Sequence, residues 1–276
     1  DDTMIQLIAT DMDGTLLNSE KALPPQLPAL LEELYRRDIT FAVASGRSHM
    51  MLTSLFGELA EEMIFICDNG ACVMQPHEAP VLHSLPKAVL AEILTQCHNL
   101  PHVMPVLCGF HHIYCPAGME DALMQEIRRY YWDIQELPYD ALFQVEEPIL
   151  KVAVCDKNGP ETHTYPLLHQ VLQDRYELLV SGDCWMDVMC KGITKGTAVR
   201  QLQEQLGITA AETAVFGDYD NDISMLQCAD YSFAMQNAPA RVRECARYLA
   251  PSNEDNGVVR QICSLLGLHY SAFPKV

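Results

Sequence analysis

The sequence is short of the features that mark several large protein classes. Its eleven cysteines form no C-x-x-C pair, and their odd number in a chain of 276 residues points to reduced, mostly buried thiols rather than a disulfide framework or a zinc site. Basic residues are scarce: 18 Lys and Arg stand against 37 Asp and Glu, a formal charge of -19. That balance argues against a nucleic-acid or anionic-membrane partner, since both need clustered cations. No apolar run approaches the ~20 residues of a membrane span, and the N-terminus lacks a basic segment followed by an apolar one, so a cytoplasmic location is the default. What remains is an ordinary globular composition, 49% hydrophobic and 20% charged, long enough for one large domain or two unequal ones. An anionic small substrate stays open, provided that a pocket gathers a few local cations.

Apolar runs alternate with helical patterns along the chain. Strands are expected at Ile5–Ala9, Ile39–Ala44 and Met63–Cys67 with a helix at Leu27–Arg37, and the pattern resumes with helices at Thr194–Leu206 and Asp222–Cys228 and strands at Thr213–Phe216 and Tyr231–Met235. This predicts an α/β fold with a doubly wound parallel sheet. The middle, His83 to Cys190, reads differently. It holds helices at Lys87–His98 and Met119–Tyr131, strands at Ile149–Val154 and Glu177–Val180, and turns punctuated by Pro101, Pro105, Pro116, Pro138 and Pro148. We read 1–82 and 191–276 as one core and 83–190 as an inserted α/β domain.

Four clusters sit where strands should end. Asp11-Met12-Asp13-Gly14-Thr15 places two carboxylates on the same side of extended backbone, followed by a glycine that lets the chain turn. It reads either as a solvated turn or as a metal-dependent phosphoryl-transfer site. Ser45-Gly46-Arg47 follows the second apolar strand, where Ser45 serves either as a helix N-cap or, with neighbouring backbone N–H groups, as a phosphate holder. Lys191-Gly192-Ile193-Thr194-Lys195-Gly196-Thr197 puts lysine against the dipole of a helix start, which suits either a surface residue or one that holds an anion. Gly217-Asp218-Tyr219-Asp220-Asn221-Asp222 crowds carboxylates that solvent or a hard divalent cation would relieve, and the ligand spacing of an EF-hand loop is missing.

Taken in order, D-x-D-G-T, S-G-R, K-G and G-D-x-x-N-D resemble the motifs of the haloacid dehalogenase superfamily of phosphatases, in its Cof-type branch. Cys67-Asp68-Asn69-Gly70-Ala71 and Phe233-Ala234-Met235-Gln236-Asn237-Ala238 resemble two further strings of that branch. The resemblance spans nearly the whole chain and implies a Rossmann-like core whose insertion is a specificity cap. It implies that Asp11 is the nucleophile, forming an aspartyl-phosphate, and that Asp13 is the general acid and base. Mg²⁺ would be held by the Asp11 carboxylate, the Asp13 backbone carbonyl and Asp218, with Asp222 holding a coordinating water. Ser45, Gly46, Lys195 and Asn221 would bind phosphoryl oxygens. Asp13 must be protonated when the ester bond breaks, so its neighbours are expected to raise its pKa or to supply the proton by exchange.

There are departures from the pattern. Asp68 stands where relatives often have a small or neutral residue and is expected to face solvent near the junction of core and cap, and Gln236 stands where glycine or aspartate is common. In the cap, His111, His112, Tyr114, Tyr130, Tyr131, Trp132 and Trp185 are candidates for the pocket wall, although aromatics at helical spacing more often build core. Asp187 resembles an acidic residue that this branch places near the substrate. The expected activity is Mg²⁺-dependent hydrolysis of small phosphate esters, with sugar phosphates, pyridoxal phosphate and related cofactor phosphates as the leading classes. One alternative is a phosphomutase, which needs extra cations in the cap, where Arg128, Arg129, Lys151, Lys157 and Arg175 look few and scattered. The other is a phospho-aspartate switch, which would gain nothing from Asp13.

Overall fold

The computed structural model describes residues 4–273. Five strands come first, β1 (Leu7–Asp11), β2 (Thr40–Ala44), β3 (Ile64–Cys67), β4 (Cys72–Met74) and β5 (Val81–Leu82). The middle of the chain supplies β6 (Val103–Gly109), β7 (Ile113–Pro116), β8 (Ile134–Leu137), β9 (Ile149–Asp156), β10 (Tyr176–Val180) and β11 (Trp185–Cys190). The chain then returns with β12 (Thr213–Gly217), β13 (Tyr231–Met235) and β14 (Tyr248–Ala250). The strands form two sheets. One runs β14-β13-β12-β1-β2-β3-β4-β5, and the other β10-β11-β9-β6-β7-β8.

In the first sheet β14, β13, β12, β1, β2 and β3 are parallel, and only the β3–β4–β5 edge is antiparallel. Both faces are apolar and covered. Leu27, Leu30, Leu31 and Leu34 of one helix pack with Val258, Val259 and Ile262 of another on one face. Ala198, Val199 and Leu202 pack with Met225, Leu226 and Val242 on the opposite face. The sheet is therefore doubly wound, as its near-continuous hydrophobic strands require. Strand order reverses between β1 and β12, one leading to β2 and the other to β13, so a crevice opens beyond their carboxyl ends, where ligands bind in folds of this kind.

β1 runs two residues later than its apolar pattern suggests. Its partners begin at Thr213 and Thr40, both opposite Leu7, and its last residue, Asp11, lies opposite Ala44. The ladder, not the hydrophobicity, sets the end of the strand and places Asp11 at the rim. The second sheet is mainly antiparallel, with β7–β8 its one parallel pair. Pro105, read from the sequence as turn punctuation, lies inside β6, whereas Pro116 closes β7 just ahead of a turn. β7 pairs only with Leu107 and Cys108 of β6, so at Pro105 one side of the strand is an edge, where a residue without N–H is tolerated. Helices Lys87–Cys97 and Thr164–Leu172 pack on one face of this sheet, and helix Asp121–Tyr130 packs on the other, beside Trp185.

Among the described residues the cysteines are all unpaired and mostly buried, and no helix is long and apolar enough to cross a membrane. Phe216, fully buried on β12, stacks on Phe233 at 4.9 Å and supports the turn that follows. Phe216→Ala is expected to cost about 3–5 kcal/mol in urea unfolding. Trp132→Ala, at a side chain 46% exposed, should change stability by no more than about 0.5 kcal/mol.

Candidate active site

Asp11, at the end of β1, and Asp218, just after β12, meet across the switch point. The Asp11 carboxylate accepts a hydrogen bond from Lys195 Nζ at 2.8 Å, and the same ammonium donates to Asp222 at 2.7 Å. Lys195 is buried at the first turn of helix Lys195–Leu206. That helix start is fixed by Thr194, whose hydroxyl accepts from Thr197 N–H at 3.0 Å while Thr197 Oγ1 accepts from Thr194 N–H at 2.9 Å. The Thr15 hydroxyl donates to Asp218 at 2.9 Å. Asp222 is committed at both oxygens, for its second one accepts the backbone N–H groups of Asp218 and Tyr219 at 2.9 and 3.1 Å. Gly14, at φ +76°, leaves room that no other residue would: a Cβ there would lie 2.2 Å from Asp218 Oδ2. Its carbonyl accepts from Asn237 Nδ2 at 2.9 Å, which gives a structural reason for the asparagine in the 233–238 string.

Carboxylate oxygens of Asp11, Asp218 and Asp222 all lie within 4.8 Å of one another. Burial, opposed by Lys195 and reinforced by Asp218, pushes the Asp11 carboxyl up to about 7. Burial and the Asp222 charge push Asp218 up to about 6, and burial and the Asp11 charge do the same for Asp222. Burial works against the Lys195 ammonium, yet Asp11 and Asp222 hold its pKa above the ordinary lysine range. Three carboxylates therefore face one cation. Such an oxygen-rich, electron-surplus donor set fits a hard divalent ion.

Asp13 departs from expectation. Burial would raise its pKa, but the Arg47 guanidinium, which donates Nε–H at 2.7 Å and a second N–H from Nη2, and Lys21 at 2.9 Å hold the carboxyl below its usual range. The physical reason was already in S-G-R: the arginine after Ser45 forks across both Asp13 oxygens. Ser45 is buried and its Oγ accepts from Arg47 N–H at 3.0 Å, which leaves the hydroxyl proton to be donated. Gly46 and Asn221 line the same cavity.

That cavity, of about 480 Å³, lies between the two sheets. Asp11, Asp13, Ser45, Arg47, Asp218 and Asn221 line one end, and Glu126, Tyr130, Tyr131, Trp185 and Asp187 are on the other wall. Of the aromatic candidates, His111, His112, Tyr114 and Trp132 are not part of the lining. Asp68 is corrected outright. It is 1% exposed, not solvated, and its neighbour is the equally buried Lys151 at 3.7 Å. The cations of the second sheet and its helices also converge more than their spacing suggests, since Arg129, Lys151 and Lys157 all reach the wall. Lys151 was legible as a lysine inside Ile149-Leu150-Lys151-Val152-Ala153-Val154, a run that has to be buried on both sides of it.

A family model described as haloacid dehalogenase-like hydrolase matches residues 8–262. The chain is 32% identical to the 5-amino-6-(5-phospho-D-ribitylamino)uracil phosphatase YbjI of Escherichia coli (strain K12), over 95% of this chain and 96% of that protein. It is 29% identical to the HMP-PP phosphatase of Escherichia fergusonii, over 87% of each chain. The crystal structure of SMU.1108c from Streptococcus mutans UA159 superimposes with a TM-score of 0.88 at 29% identity, covering 95% of this chain and 99% of that one.

The raised carboxyl pKa values fix a sign. Folded Asp11 binds its proton more tightly than the unfolded chain does, so its burial costs stability increasingly as pH rises from about 4 to about 7. In chelator, Asp11→Asn should therefore gain thermal stability relative to the native sequence across that interval. Mg²⁺ should raise the unfolding midpoint of the native protein more at about pH 7 than at about pH 5, and a midpoint indifferent to Mg²⁺ at both would count against a cation site.

Proposed function

The chain belongs to the haloacid dehalogenase-like hydrolases, as a phosphoric monoester hydrolase, and from that membership we propose that it is a Mg²⁺-dependent phosphatase working through a phosphorylated Asp11. The observation that supports this most is the approach of Asp11, Asp218 and Asp222 to within 4.8 Å around a single buried lysine. Asp11 attacks phosphorus as the alkoxide leaves, and water then hydrolyses the aspartyl-phosphate. Lys195, the Ser45 hydroxyl, the Gly46 backbone and Asn221 hold the phosphoryl oxygens. Asp11, the Asp13 carbonyl and Asp218 would hold Mg²⁺, with Asp222 holding one of its waters. When bound, the ion supplies charge that offsets repulsion between the Asp11 carboxylate and a dianionic phosphate.

Asp13, clamped by Arg47, is set to take a proton from the attacking water in the second half-reaction. For the first half it must itself be protonated. An entering phosphate that draws on the Arg47 guanidinium leaves burial, which favours the protonated Asp13 carboxyl, opposed by Lys21 alone. The cap decides which ester fits. Its aromatic wall of Tyr130, Tyr131 and Trp185 suits a leaving group that carries a flat ring. The pyrimidine with a phosphorylated ribityl chain, named for the Escherichia coli relative, is one such ester and the first that we would offer. A mutase is disfavoured by charge. On the cap wall Arg129, Lys151 and Lys157 face Glu126, Asp183 and Asp187, so no net positive site remains for a second phosphate.

Phosphate release from a panel of monoesters, with Mg²⁺ and with chelator, is the test. Release should need both the metal and Asp11, and Asp11→Asn should abolish it. Asp13→Ala should lower turnover by about 10²–10⁴-fold. Full activity in either variant would sink the assigned roles.

A further inference from the structure

Three consecutive residues, Asp68, Asn69 and Gly70, have positive φ values of 48°, 57° and 108°. Left-handed backbone at two successive non-glycine residues is strained, and it persists only where the surroundings demand it. Here the demand comes from the phosphate-binding turn. Asn69 N–H donates to the Ser45 carbonyl at 2.9 Å, and Asp68 N–H donates to the Arg47 carbonyl at 3.0 Å. The strained turn thus grips the first and third carbonyls of Ser45-Gly46-Arg47.

The middle carbonyl is held from the other side of the cavity. Lys151 Nζ, carried by β9, donates to Gly46 O and also to Tyr131 Oη at 3.1 Å. Gly46 C=O and Arg47 N–H belong to one peptide group, whose N–H donates to Ser45 Oγ. That peptide is pinned at both ends, and turning it over would break the bond that orients the Ser45 hydroxyl. Lys151 in turn sits 3.7 Å from Asp68 and 3.8 Å from Asp187, all three side chains nearly inaccessible. Both carboxylate oxygens of Asp68 lack a hydrogen-bond partner, so the charge of Lys151 is what they face. Asp187 also accepts from Asn69 Nδ2 at 2.7 Å, and Asn69 Oδ1 accepts from Asn221 at 3.3 Å.

We infer that Lys151 is a positioning residue for phosphoryl transfer: it fixes the Gly46–Arg47 peptide from the cap, so that the phosphate-binding turn is complete only when the cap is seated on the core. Asp68 and Asp187 hold the lysine in place, and Asn69 links Asp187 to Asn221 on the opposite side of the phosphate. A seated cap therefore sets both flanks of the phosphoryl site, whichever leaving group it encloses.

The inference rests on the phosphatase reading, and the experiment separates the two. Lys151→Met would leave Asp68 and Asp187 uncompensated, so it is paired with the double variant Lys151→Met/Asp68→Asn, and the folding of each is checked by its unfolding midpoint. Hydrolysis of p-nitrophenyl phosphate and of a sugar phosphate is measured, together with inhibition by orthovanadate, which mimics the transferring phosphoryl group alone. The expected result is a fall in kcat/KM of about tenfold or more, by the same factor for both esters, with vanadate inhibition weakened alongside. A loss confined to one ester with vanadate inhibition intact would make Lys151 a leaving-group contact. Unchanged kinetics, or failure of both variants to fold, would also overturn the assignment. No release by the native protein from any ester would instead fault the phosphatase reading.

Discussion

A lysine buried between two carboxylates organises this molecule. Lys195 reaches Asp11 and Asp222 from the first turn of the helix that leads into β12, joining the loop after that strand to the end of β1, which is remote in sequence. Without that ammonium, three carboxylates at the switch point would face one another in a medium too poor in water to screen them. With it, the excess falls to what one divalent cation neutralises. The parallel sheet supports this arrangement because adjacent strand ends deliver side chains to the same rim, and Gly14 keeps the first turn slim enough for Asp218 to lie against it.

Most of the core was legible because its physics is local. Apolar strands followed by Asp, Ser or Gly-Asp announce both a buried sheet and a polar rim, and the parallel, doubly covered sheet bears that reading out. The shift of β1 by two residues was not legible, since it depends on where Thr40 and Thr213 begin their own ladders. In the second sheet, Pro105 hid β6, because whether a proline ends a strand depends on which side has a partner. Asp68 was misjudged for a similar reason. Its sequence neighbourhood looks like a solvated turn, and only Lys151, remote in sequence, explains why a carboxyl is buried there.

Asp13 shows how a single neighbour changes the chemical meaning of a motif. Read alone, D-x-D suggests an acid with its proton retained; read with Arg47 across both oxygens, Asp13 is a carboxyl held in its ionised form. The cavity wall has the same dependence on pairing. Cations that look scattered along the chain converge in space, yet acids line the same wall, so the cavity there carries little net charge.

The spacing between Gly70 and the helix that carries Lys195 has an evolutionary reading. A Cβ at residue 70 would lie 2.6 Å from the Thr194 carbonyl, so the turn and the helix start touch backbone to backbone with no side chain between them to vary. Ordinary substitution therefore has no handle on the distance between the turn at Ser45 and the ammonium at Lys195. The far wall, with Glu126, Tyr130 and Trp185, is where side chains can change without altering that distance.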